Sequence, residues 1–128
     1  MKIIKSLVRV FPSLGDFAST VTFYEQIYGT ACVMKVTYAS AGLELAAVGD
    51  VLIIAGNETS LAPFKATIMT MIVDDIEAFH AHFVAHGHGV EIIAPIQPVP
   101  TGRNMRVRHP DGLVVEYVEH DPQHAIYA

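Results

Sequence analysis

One cysteine in 128 residues leaves no partner for an intramolecular disulfide and excludes the cysteine-rich metal sites. Cys32 also lacks a second cysteine at CxxC spacing, so it reads as a structural thiol in a reducing compartment. Basic residues are scarce as well: 8 Lys and Arg against 13 Asp and Glu leave a net charge of -5. Apart from Arg103, Arg106 and Arg108 they are scattered, which argues against a protein that tracks nucleic-acid phosphates. No stretch approaches the roughly 18 apolar residues of a membrane span, and the opening MKIIKSLVRVF lacks the long apolar run of a leader peptide. No Ser-His-Asp order, phosphate loop or dinucleotide fingerprint is visible. The expectation is a cytoplasmic protein with neither nucleic acid nor membrane as partner.

What is present is apolar: 52% of the residues are hydrophobic, enough to bury a core without staples. Ile3 to Phe11 has strand composition, and Pro12 stops it. Ser13-Leu14-Gly15-Asp16 then resembles a capping box. Phe17, Val21, Tyr24 and Tyr28 follow at the spacing of one helical face, which Gly29 ends. Val33 to Tyr38, Leu43 to Val48 and Val51 to Ala55 read as strands, with Ala41-Gly42 and Gly49-Asp50 as turns. This is a βαβββ order.

From Ala66 the order starts again. ATIMTMIV is a strand, Asp74-Asp75 cap a helix carrying Ile76, Phe79 and Phe83, and Gly87 closes it. Strands follow at Glu91 to Ile96, bounded by Pro98 and Pro100, at Asn104 to His109, and, after the HPDG turn, at Leu113 to Glu119. Asp16 matches Asp75 and Gly29 matches Gly87, offsets of 59 and 58 residues, too long and too few for a solenoid. A single domain over 1–128 therefore contains two βαβββ modules, 1–57 and 64–120. NETSLAP, residues 57–63, reads as a linker.

A paired βαβββ chain with TFYEQIYG on its first helix, IVDDIEAF at a strand-to-helix junction and a closing HPDGLVVEY resembles the glyoxalase / bleomycin resistance / extradiol dioxygenase superfamily, the vicinal oxygen chelate proteins. The resemblance covers nearly the whole chain. It implies an α+β fold in which the two modules form a curled, half-barrel mixed sheet around a cavity, and it implies a homodimer, also the commonest symmetric assembly. Members include isomerases, lyases, dioxygenases, thiol transferases and proteins that sequester a drug, so fold alone does not settle activity.

Glu116 interrupts the apolar run VVEYV, and the resemblance gives it a role, because the family's last metal ligand is a glutamate soon after such a turn. The other ligand positions hold none. Lys5 to Val8 offers no His or Gln, ATIMTM near Ile68 offers no His, and the first-module counterpart of Glu116 is about Ile54. One carboxylate is a poor chelate, so no metal and no cofactor are expected. His82 and His86 stand at i and i+4, but the helical wheel turns His82 toward solvent and His86 to the flank, so they read as solvated or edge histidines. His109 reads as a turn residue.

In place of a metal, alternation puts Asn104, Arg106 and Arg108 on one face, with Met105 and Val107 on the other. A type I turn with a glycine bulge at HPDG sets Arg106 opposite Glu116, where an ion pair is expected on the concave face. In the resembling fosfomycin thiol transferases the residue ten before the final glutamate contacts substrate. Asn104, Arg106, Arg108 and Glu116 are therefore the expected floor for an anionic or polar small molecule. Met34 and Met105 are expected to add adaptable wall, and Glu44 is either a second anchor or an exposed edge. The functional expectation is small-molecule binding without a metal, as a sequestering protein or an enzyme of unassigned activity. The alternative is a divalent-metal-dependent lyase or isomerase using Glu116.

Overall fold

A computed structural model describes residues 1–124. The order expected from the sequence is observed with one helix added, α2: β1 (Ile3–Val10), α1 (Phe17–Tyr28), β2 (Met34–Tyr38), β3 (Leu43–Val48), β4 (Val51–Ala55), α2 (Glu58–Leu61), β5 (Met69–Val73), α3 (Ile76–His86), β6 (Glu91–Val99), β7 (Gly102–Arg108) and β8 (Val114–His120). The class is α+β with two βαβββ modules. Among the described residues no helix is long and apolar enough to cross a membrane.

One compact unit is Leu7–Ala66. Its strands are ordered β2-β3-β4-β1, antiparallel except for the parallel pair β1 and β4, in which Val8 faces Val51 and Val10 faces Ile53. Val21 of α1 packs on Ala46, Val48, Val51 and Ile53, with Phe17 and Tyr24 alongside. Each large apolar side chain buried there contributes about 1.5–3 kcal/mol. Tyr28, expected on the same stripe, is more than two-fifths exposed and lies over Gly49 instead. Ser13 accepts from the Asp16 amide as the capping box predicts, and Gly29 ends α1 at a φ of 64°. NETSLAP departs from its linker reading. Asn57 accepts a hydrogen bond from the Ser60 amide and starts α2, because an Asx side chain supplies the acceptor a helix start needs.

The other unit joins Met1–Ser6 to the chain from Thr67 onward. The amide of Lys2 donates to Asp74 Oδ1 at 2.8 Å, and the Asp74 amide donates to the Lys2 carbonyl at 3.1 Å. Asp75 is the true cap of α3, accepting from the Ala78 amide. The strand order is β5-β8-β7-β6, with β5 and β8 parallel and the rest antiparallel. Ile76 and Phe79 of α3 pack on Val73, Met105, Val107, Val115 and Tyr117, and Met69 and Met71 flank them. Met105 is thus core and not the wall of a ligand pocket. At the HPDG turn Gly112 donates to the His109 carbonyl with a φ of 94°, the geometry that sets the β7–β8 register. β6 contains Pro95 and runs past its expected end at Ile96 through Pro98 to Val99. It is an edge strand with register shifts on both sides of Ala94, where missing N–H groups are tolerated.

Candidate functional site

Helix α3 covers one face of β5, β7 and β8, so the odd-numbered residues of β7 and β8 that pack beneath it send their even-numbered neighbours to the opposite face. There Arg106 stands opposite Glu116, Asn104 opposite Val118 and Gly102 opposite His120. Parallel pairing with β5 sets Thr70 beside Glu116. Thr70 is buried and donates its hydroxyl to Glu116 Oε1 at 2.8 Å, while the Asn104 amide donates from Nδ2 to Oε2 at 2.6 Å. Neither donor adjoins Glu116 in sequence; both reach it through strand pairing.

The expected register holds, but the expected ion pair does not form. Among the described residues the Arg106 guanidinium makes no hydrogen bond or ion pair, though it stands level with Glu116. Threonine and asparagine lose less rotamer freedom than arginine on docking against a carboxylate, and neither has a charge to desolvate. Arg108 leaves the expected floor as well. It is exposed at the strand end and pairs with Glu91 directly across β6. Arg103 belongs to the α3 side, 2.8 Å from Glu77 and 3.7 Å from Glu119, whose other oxygen accepts the Ile76 amide. Glu44 shares its face with Ala46 and Val48 under α1 and accepts from the Thr37 hydroxyl at an exposed strand end, which is the edge reading.

Among the described residues, Oδ1 of Asn104 and Nδ1 of His120 on the Glu116 face are buried without a hydrogen-bond partner. The Asn104 amide cannot flip to relieve this, because flipping sets its carbonyl against the Glu116 carboxylate. Burial holds the His120 imidazole below its ordinary pKa; the Glu116 charge pulls it back up, the His124 charge lowers it while the His124 backbone raises it, and Asp121 raises it. His124 itself is 2.7 Å from Asp121. The unfolded chain therefore takes up a proton that folded His120 resists. Stability from this group is whole above the unfolded value near 6.5 and is lost as the pH falls below it toward the folded value. Thermal melts between about pH 7 and pH 5 should show a smaller loss in His120→Gln than in the parent chain. An equal loss in both would show that His120 does not carry this dependence.

His109 Nε2 lies 2.7 Å from the Tyr117 hydroxyl, on the α3 side, where burial raises the phenol pKa. His82 and His86 are exposed with ring centroids 5.5 Å apart. Among the described residues no three His, Cys, Asp or Glu side chains come together as a metal site would require. The groups seen bonding Glu116, the Thr70 hydroxyl and the Asn104 amide, are hydrogen-bond donors.

A solved structure of an uncharacterised protein from Methanosarcina mazei is 41% identical to this chain, covers 94% of it and 95% of its own length, and superposes with a TM-score of 0.84. The chain belongs to the family of that archaeal protein. The family's fold is shared more widely. Methylmalonyl-CoA epimerase from Mycobacterium tuberculosis matches at 18% identity over 94% of this chain and 91% of its own, with a TM-score of 0.70. A Streptomyces coelicolor methylmalonyl-CoA epimerase variant in complex with 2-nitronate-propionyl-CoA matches at 16% over 99% of both chains, with a TM-score of 0.66. These epimerases are vicinal oxygen chelate proteins, so the fold implied by the sequence resemblance is the fold found. No protein-family model and no curated protein matches the chain.

Proposed function

We propose that this chain is a small-molecule-binding member of the vicinal oxygen chelate superfamily that works without a resident metal ion. The observation that carries the reading is the Thr70–Glu116–Asn104 trio, a carboxylate held in place by two donors beside an uncommitted guanidinium at Arg106. A carboxylate fixed in this way orients a polar ligand, and the planar fork of Arg106 suits a carboxylate or phosphate on that ligand. The epimerase neighbours support the small-molecule part of the reading, one of them having been solved with methylmalonyl-CoA. Assembly as a homodimer belongs to the same proposal, and light scattering at micromolar concentration should return a particle of two chains.

The test is a thermal-shift screen of small carboxylates, phosphates and acyl-CoA thioesters, methylmalonyl-CoA among them. A ligand that fits the native state raises its stability by mass action. Hits should weaken at least about tenfold in Arg106→Ala, and Glu116→Gln should change their affinity with little effect on the melt. Stoichiometric Zn, Mn, Fe, Ni or Co in the purified protein, lost in Glu116→Ala, would replace this reading with a metal-dependent lyase or isomerase.

A further inference from the structure

We infer that the ligand carries a hydroxyl group seated between Asn104 and His120, making it a hydroxylated small acid. The inference rests on the proposed binding reading and goes beyond it to the ligand's chemistry. Asn104 spends both its orientation and its amide N–H on Glu116, so Oδ1 is left as a pure acceptor turned away from that carboxylate. His120 lies diagonally across the hairpin from Asn104, since Gly102 faces His120 and Asn104 faces Val118. The two orphan atoms do not bond each other, and each is sealed from solvent. Two orphan atoms of this kind call for a group that donates to the one and meets an imidazole nitrogen at the other. A hydroxyl does both: it gives its proton to Asn104 Oδ1 and accepts from His120 Nδ1–H. Burial favours the neutral imidazole, and the tautomer with its proton on Nδ1 is the one such a hydroxyl requires. A bare ammonium is disfavoured by Arg106 on the same face, and a second carboxylate by Oδ1 and Glu116. The acid group belongs beside Arg106, two residues along β7 from Asn104, about 6.6 Å away.

The experiment is calorimetric titration of the parent chain with butyrate and with the three positional isomers of hydroxybutyrate. At least one isomer should bind about tenfold more tightly than butyrate, because a site built to bond a hydroxyl leaves its polar atoms unpaired when the hydroxyl is missing. That preference should fall toward unity in Asn104→Ala and in His120→Leu, each checked for folding by circular dichroism. All four acids binding equally, and all weakened in Arg106→Ala, would mean that no ligand hydroxyl meets the two atoms; the hydroxyl inference fails while the anion-binding reading stands. No binding by any of the four up to about 10 mM would overturn the hydroxylated-acid inference, while the anion-binding reading is decided by the phosphate and acyl-CoA thioester arms of the thermal-shift screen.

Discussion

Gly102→Ala should destabilise the protein by about 3 kcal/mol or more, or prevent folding outright. Gly102 opens β7 at a φ of 154°, and a Cβ built there comes within 2.1 Å of the Glu119 carbonyl oxygen, 2.9 Å of the Asp121 nitrogen and 3.0 Å of His120 Cα. All three are backbone atoms or Cα of the partner strand or its exit. The side chain cannot be accommodated by a rotamer change elsewhere; the strands themselves must separate. Gly112 supplies the control. Its φ of 94° is equally foreign to alanine, yet nothing lies within 4 Å of its Cβ position. Gly112→Ala should therefore cost only the conformational term, about 1–2 kcal/mol. Urea unfolding of the two variants separates close approach from backbone preference, and equal losses would show that the contact at Gly102 relaxes freely.

Asn104→Asp should be nearly as damaging, and its damage should depend on pH. The substitution exchanges the amide that bonds Glu116 at 2.6 Å for a second carboxyl. At pH 8 two anions would share a contact that now holds a donor and an acceptor, an exchange expected to cost about 2–4 kcal/mol. The pair can recover only by keeping one proton, so the folded variant binds a proton more strongly than its unfolded chain. Stability is then greater on the acid side and falls as pH rises. Denaturant titrations at about pH 5 and pH 8 should show the larger loss at pH 8. Thr70→Val, which removes a donor without adding charge, should show no such divergence. A variant as stable at pH 8 as at pH 5 would mean that the introduced carboxyl swings away from Glu116 and that the trio is not rigid.

The strand pattern was legible because alternation reports a face and the HPDG turn reports a register; together they set Arg106 opposite Glu116, as observed. They do not report which donor a carboxylate takes. That choice depends on side-chain length and desolvation, and it went to the short side chains of Thr70 and Asn104. Thr70 was missed for a further reason: its partner strand lies 46 residues away in a parallel pair that no local turn specifies. A signal was present in ATIMTMIV, where the threonine is the one hydroxyl on its face between Ile68 and Ile72. His120 belongs to no motif, but continuing the alternation from Glu116 by four puts it on the same face. NETSLAP shows the converse error. Its polar composition suggested a linker, but Asn57 three residues before Ser60 is a helix start.

The prolines of β6 have a consequence for how copies of this chain can meet. An outermost strand ordinarily offers an unbroken line of amide and carbonyl groups to any second sheet, the route by which folded proteins zip into fibrils. Pro95 and Pro98 delete donors from that line, and the register shifts around Ala94 kink what remains. Along β6 a second chain finds no continuous template. Copies that add strand to strand therefore have to use the other outermost strand, β2, whose run Met34–Tyr38 holds no proline, and high concentration alone should not string them together through β6.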